Sequence, residues 1–115
     1  MRAGDIVLAA LPQADESTKI RSALLLCALP PFGDWLACGI TSQIRHAVPD
    51  FDEVIARDDV DYAGTRLHDR SLIRLGFLDT LARTQIGDVL KQIATDRLQR
   101  LRHNLVQHLL TRSRT

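Results

Sequence analysis

The chain carries little of what usually announces a function. Aromatic residues are scarce, three Phe with one Trp and one Tyr in 115 residues. Any surface on which bases could stack is therefore small, and Trp35 and Phe77 read as core residues. The two cysteines, Cys27 and Cys38, have neither CxxC spacing nor clustered histidines around them, which argues against a structural zinc site. They read as small buried hydrophobes in a reducing compartment. The histidines His46, His68, His103 and His108 are scattered, and the last two, at i and i+5 of a helical pattern, do not face one ligand. No metal or other cofactor is expected. The absence of a P-loop or GxGxxG sequence excludes phosphate cradling of the nucleotide-binding kind. The opening apolar run, closed by Pro12, is too short for a signal h-region or a membrane span, so the expected location is cytoplasmic. Nor does charge of one sign prevail: 15 Lys plus Arg stand against 14 Asp plus Glu, so overall charge does not announce a nucleic-acid binder.

What is present is enough for one modest core. The 45% hydrophobic content and the length fit a single domain over residues 1–115. A chain this small keeps a thin stability margin and gains from a partner subunit. Charge is unevenly spread. Residues 50–61 hold Asp50, Asp52, Glu53, Asp58, Asp59 and Asp61 against Arg57 alone, whereas Arg97, Arg100, Arg102, Arg112 and Arg114 crowd the end of the chain. One negative and one positive surface are expected.

Gly4-Asp5 is a turn signal ahead of Ile6-Val7-Leu8-Ala9-Ala10-Leu11, a short strand. Residues 13–20 are polar and read as an exposed loop. The apolar run at 23–29 is ambiguous by periodicity. Pro30-Pro31-Phe32-Gly33-Asp34 and a second short apolar run at 35–40 decide for a hairpin. Residues 45–64 read as a long acidic surface connection, with one short strand or turn around 51–55. From Ser71 to Leu78 the period is two: Ile73, Leu75 and Phe77 share one face, Arg74 and Gly76 the other. The last third is helical, with Thr95 as N-cap and Leu98, Leu101, Leu105 and Leu109 as an apolar stripe. Its other face, with Arg97, Arg100, Arg102 and His108, is expected in water while the stripe lies on a sheet. The fold expected is mainly β, of α+β class.

Chemistry has few places to reside. The adjacent Asp58 and Asp59 read as an ordinary solvated loop. Lys19 and Arg21 lead into the second strand, and Thr41-Ser42-Gln43 close the third, so a hairpin would make Arg21 and Thr41 neighbours. Arginine beside a hydroxyl suits a phosphate, through bidentate charge-assisted bonds and one directed bond. From spacing alone, a solvated strand-end arginine is the stronger reading.

Five segments in order nevertheless resemble one family, the MazF/PemK toxins. They are GDIVLAALP for the opening strand, KIRSALLLC for the second, CGITSQ for the end of the third, and SLIRLGFLDTL and IGDVLKQIATDRLQRLRHNL for the late strands and closing helix. Residues 49–69 match poorly. The resemblance implies an SH3-like barrel of about five to seven short antiparallel strands with a C-terminal helix packed on the sheet. It implies a type II toxin: a homodimer held by a cognate antitoxin, meeting DNA only through the antitoxin complex, with no membrane role. The implied activity is metal-independent, sequence-specific cleavage of single-stranded RNA to a cyclic phosphate and a free 5′-hydroxyl. The family's catalytic arginine falls on Arg21 and its threonine on Thr41. Substrate contacts would come from Ser17, Thr18 and Lys19 in the 13–19 loop and from Ser42 and Gln43, reading splayed bases. Two departures bear on activity more than on fold. Ser22 stands where the family usually has proline, freeing the backbone beside Arg21, and Asp15 and Glu16 replace a glycine-rich stretch and would repel RNA unless turned away.

Two rivals remain. One is a non-catalytic binding protein on the same barrel, a gyrase poison of the CcdB type or an inactive adaptor, which would use the end of its C-terminal helix rather than Arg21 and Thr41. The other is a scaffold docking a partner through the acidic stretch.

Overall fold

In the computed structural model, which describes residues 1–12 and 15–111, six antiparallel strands curl into a half-barrel closed by one helix. The strands are β1 (Asp5–Pro12), β2 (Thr18–Leu29), β3 (Asp34–Thr41), β4 (Glu53–Ile55), β5 (Ser71–Leu81) and β6 (Ile86–Gln92), in the order β4-β5-β3-β2-β1-β6. The helix α1 spans Thr95–Leu110. This is the mainly β, α+β architecture expected, with a strand count inside the expected range.

Alternation along the strands builds two apolar clusters, one on each face of the curled sheet. On one face Ile6, Leu24, Leu26, Cys38, Ile73 and Leu75 meet Ile55, Ile93 and the helix residues Leu101 and Leu105. On the other, Val7, Ala9, Leu11, Ala23, Leu25, Trp35, Ala37 and Leu81 pack against one another as the sheet bends over itself. The Gly4-Asp5 opening has a structural reason. Gly4 has φ +92, and a Cβ there would come 3.2 Å from Leu98 Cδ2, so glycine lets β1 begin beneath α1. The β2–β3 hairpin turns where expected: Gly33, at φ +76, donates its N–H to the Leu29 carbonyl.

Several expectations need correction. The polar loop is shorter than 13–20, because β2 starts at Thr18 and pairs with β1 as far as Thr18↔Pro12. Gln13, at the start of that loop, lies outside the described residues, as do Arg112 and Arg114 of the basic tail. The acidic connection contains the short strand expected, β4, and runs mostly at the surface, but Ile55 and Asp61 within it are buried. They are buried because this segment wraps the start of α1. Arg97 is not in water either; it is 8% exposed. Its guanidinium donates to Asp61 (2.8 Å), Asp59 (2.9 Å), Glu53 (3.0 Å) and the Val54 carbonyl (3.2 Å). Arg100 bonds Glu53 and Asp96. At Arg97 and Arg100 the basic stretch thus meets the acidic one, and Asp59 is a partner of Arg97, not merely solvated. Thr95 is the first helical residue rather than the N-cap. Asp61 Oδ2 accepts the Ala94 N–H at 3.0 Å and serves the helix start from outside.

Burial opposes ionisation of Asp61, but the Arg97 hydrogen bond, the Ala94 N–H and the Arg97 charge outweigh it and hold its carboxyl below the usual range. Leu109 leaves the apolar stripe, 70% exposed. Cys38 is buried and Cys27 partly so. They are not register partners, since Cys38 faces Leu24 and Cys27 faces Leu36.

Candidate functional site

The site lies where β2 and β3 stop pairing. Their last register pair is Ala23↔Gly39. Arg21 and Thr41 each stand two residues beyond it, so alternation puts both on the sheet face of Ala23 and Gly39, at the same end of the sheet. The neighbouring strands hold each backbone: Arg21 is opposite Ala9 on β1, and Thr41 opposite Leu72 on β5. The freedom expected from Ser22 beside Arg21 is removed in the same way, because Ser22 pairs with Leu8. Arg21 is exposed and Thr41 half-buried.

The remaining expected residues divide. Lys19, two positions from Arg21 and opposite Leu11, shares its face; Thr18 alternates to the other. Ser17 is engaged within its own loop, its hydroxyl donating to Asp15 Oδ1 at 2.5 Å and its N–H at 3.1 Å. The Ser17 hydroxyl, followed by its N–H, lowers the Asp15 pKa from the ordinary value, so that carboxylate stays ionised and exposed in the loop leading to β2. Gln43 turns back: its N–H donates to Thr41 Oγ1 at 3.2 Å, and its Oε1 meets Arg45 Nη2 and His46 Nε2, each at 3.0 Å. Thr41 keeps its own O–H free to donate outward. Ser42 is exposed beside it.

Two residues of this face escaped the sequence reading. Arg74 is the register partner of Gly39, so it stands on the face of Arg21 and Thr41. Its signal was available, since it falls on the polar side of the period-two strand. Phe77 is the second. Read as core, it is 49% exposed. The register jumps from Cys38↔Leu78 to Gly39↔Arg74, so residues 75–77 have no partner on β3. That bulge breaks the period of two and turns the Phe77 ring over Gly39. A Cβ on Gly39 would lie 2.7 Å from Phe77 Cδ2, so only glycine fits beneath the ring.

Among the described residues, Lys19, Arg21 and Arg74 have no ion pair. Cationic side chains held by a sheet beside a hydroxyl with a free donor form a surface that receives an oxyanion. No group of three or more metal-ligating side chains occurs among the described residues, and no helix there is long and apolar enough to cross a membrane.

The fold and this face define a small half-barrel protein with a cationic, hydroxyl-bearing end. A family model described as PemK-like, MazF-like toxin of type II toxin-antitoxin system matches residues 2–109. The chain belongs to that family. It is therefore a type II toxin, and membership implies an antitoxin as its partner. No curated protein matches it.

Proposed function

We propose that this toxin is an endoribonuclease that cleaves single-stranded RNA with the adjacent ribose 2′-oxygen, rather than a metal-bound water, as nucleophile. The observation that carries the reading is the convergence of Arg21, Thr41 and Arg74 on one sheet face, with both arginines free of internal carboxylates. In the reaction the 2′-oxygen forms a bond to phosphorus and loses its proton, while the bond from phosphorus to the 5′-oxygen breaks and that oxygen leaves protonated. The products are a 2′,3′-cyclic phosphate and a 5′-hydroxyl. The pentacoordinate phosphorus carries extra negative charge, and stabilising that charge is the task for Arg21 and Arg74. Thr41 orients the phosphate or the 2′-hydroxyl by one hydrogen bond. Arginine is a poor base, so the arginines act through charge rather than by accepting the proton. Lys19 and Ser42 flank the phosphate, and Ser17, Thr18 and Gln43 contribute to base preference.

The test is to incubate the purified toxin with a long single-stranded RNA in EDTA, beside Arg21→Ala, and map the new ends. Discrete cuts ending in cyclic phosphates, lost by a factor of about 100 or more in the variant, are expected from removal of a charge that stabilises the transition state. Intact RNA in both, or equal cutting by both, refutes the assignment. The chain is further proposed to act as one domain, in the cytoplasm and as a homodimer, with an acidic antitoxin segment covering the Arg21 face. A monomeric mass at micromolar concentration in sedimentation counts against the dimer, and antitoxin binding unchanged by Arg21→Glu counts against the covering.

A second reading has its own observation. Val106, Leu109 and Leu110 at the end of α1 are 49%, 70% and 73% exposed, an apolar end suited to a protein target in a non-catalytic toxin. Undiminished toxicity of Arg21→Ala, together with toxicity lost on changing Leu109 and Leu110 to Ser, favours it.

A further inference from the structure

Phe77 and its neighbour Leu78 are the large apolar residues of β5 that stay exposed. Leu72, Ile73, Leu75 and Leu81 are fully buried, whereas Phe77 keeps about half of its surface in water. Cover for the sheet does not explain this arrangement. The residue that the ring covers is a glycine, whose own Cβ would have filled the space, and three consecutive ring atoms, Cγ, Cδ2 and Cε2, come within 3.3 Å of where that Cβ would sit. A bulge of unpaired residues and a glycine in the adjacent strand together set the Cγ, Cδ2 and Cε2 atoms of an aromatic ring against Gly39 while about half of the side chain stays in solvent. In a chain with so few aromatic residues, this one stands beside the cationic face. Gly39 is two residues from Thr41 on β3, a distance of about 7 Å along an extended strand, and it is paired with Arg74. A single nucleotide spans such a separation between its phosphate and its base.

We propose that Phe77 is the stacking platform for a base of single-stranded RNA whose phosphate lies at Arg21, Thr41 and Arg74. The inference rests on the endoribonuclease reading for the identity of the ligand. Unstacked bases find their largest protein contact on an aromatic face, and such stacking tolerates different bases. It therefore supplies affinity at this position, and hydrogen bonds elsewhere supply sequence preference. Stacking that is equal in the bound substrate and in the transition state lowers KM and leaves kcat unchanged.

The experiment compares the parent with Phe77→Leu and Phe77→Tyr. Leucine preserves apolar cover over Gly39 but has no π face; tyrosine preserves both. Binding is read first, by anisotropy with a randomised single-stranded oligoribonucleotide pool whose riboses are 2′-O-methylated, so that it is measured whether or not the toxin cuts. Cleavage of unmodified RNA and thermal melting follow. Expected for Phe77→Leu is a roughly 5- to 100-fold loss of affinity, mirrored in KM with kcat kept, at a melting temperature close to the parent's. Phe77→Tyr should stay near the parent in all three. Equal affinity of parent and Phe77→Leu overturns the proposal, as does equal loss in both variants. A parent that binds the pool without cutting RNA refutes the nuclease reading alone, because the comparison of affinities still decides the platform. A parent that binds no RNA refutes both.

Discussion

Arg97 offers the sharpest test of how this fold is held together. Its guanidinium meets three carboxylates, and the nearest, Asp61, has a side chain only 4% exposed. Replacing Arg97 by Met keeps most of the apolar stem and removes the cation. Asp61 is then a buried anion with the Ala94 N–H as its remaining hydrogen-bond donor. Breaking a buried pair on one side destabilises by about 3–5 kcal/mol, a large part of the roughly 5–15 kcal/mol that a domain possesses. The exposed pair Arg57–Asp69, whose side chains are 67% and 73% exposed, provides the contrast: Arg57→Ala should lose no more than about 1 kcal/mol. The effect also has a pH signature. The folded-state pKa of Asp61 is lowered, so its contribution is fully present above the unfolded value of about 3.9 and is lost as pH falls through the folded value. In Arg97→Met, burial pushes Asp61 up instead, and protonation relieves the variant at higher pH than the parent. The gap between the two should therefore be widest near pH 7 and narrow toward pH 3. Adding Asp61→Asn to Arg97→Met should restore part of the loss, since a neutral amide is less costly to bury than an unpaired carboxylate. Urea unfolding followed through the fluorescence of Trp35, the one tryptophan and 7% exposed, measures each quantity. A loss under about 1 kcal/mol at pH 7, or a gap independent of pH, refutes the account.

Two further outcomes follow from local geometry. Gly39→Ala sets a methyl group 2.7 Å from Phe77 Cδ2, which should destabilise by about 1–3 kcal/mol. The same substitution in a Phe77→Ala background should be nearly free, and additive losses in thermal melts would remove the claimed contact. The Cys38 thiol is pushed up to about 12 by burial, with the charge of Asp52 adding to it. Iodoacetamide at pH 8 should therefore spare Cys38 in the native protein and modify it once urea unfolds the chain. Modification of native Cys38 at the rate of a free thiol would show that burial to be wrong.

Much of the fold is legible because its determinants are local. The Gly4-Asp5 turn, the Pro30-to-Asp34 turn and the stripe at Leu98, Leu101 and Leu105 each follow from residues within a few positions of one another. The misreadings lie where partners are far apart in the chain. Arg97 and Asp61 are 36 positions apart, and no periodicity relates a basic helix face to an acidic loop that will fold over it. Each stretch read alone is a solvated charge run; together they form the buried clasp that seats α1. The same clasp takes Glu53, Asp59 and Asp61 out of the acidic run as partners of Arg97.

The candidate site divides along a similar line. Arg21 and Thr41 were accessible because a hairpin brings its two outer ends together, and a one-residue slip of the ladder between Leu25 and Cys27 leaves both two residues beyond Ala23↔Gly39. Arg74 joins them only through a third strand, and its place depends on a bulge that three unpaired residues create. Perfect alternation in Ile73, Leu75 and Phe77 predicts one buried face, and the bulge cancels that prediction at its last member. The departure from the simple pattern is therefore concentrated beside the cationic face. A strand built only for the core would continue its period through Phe77. This one gives up ladder pairing and buried apolar area there, and such sacrifices of local consistency are expected where a surface serves a ligand.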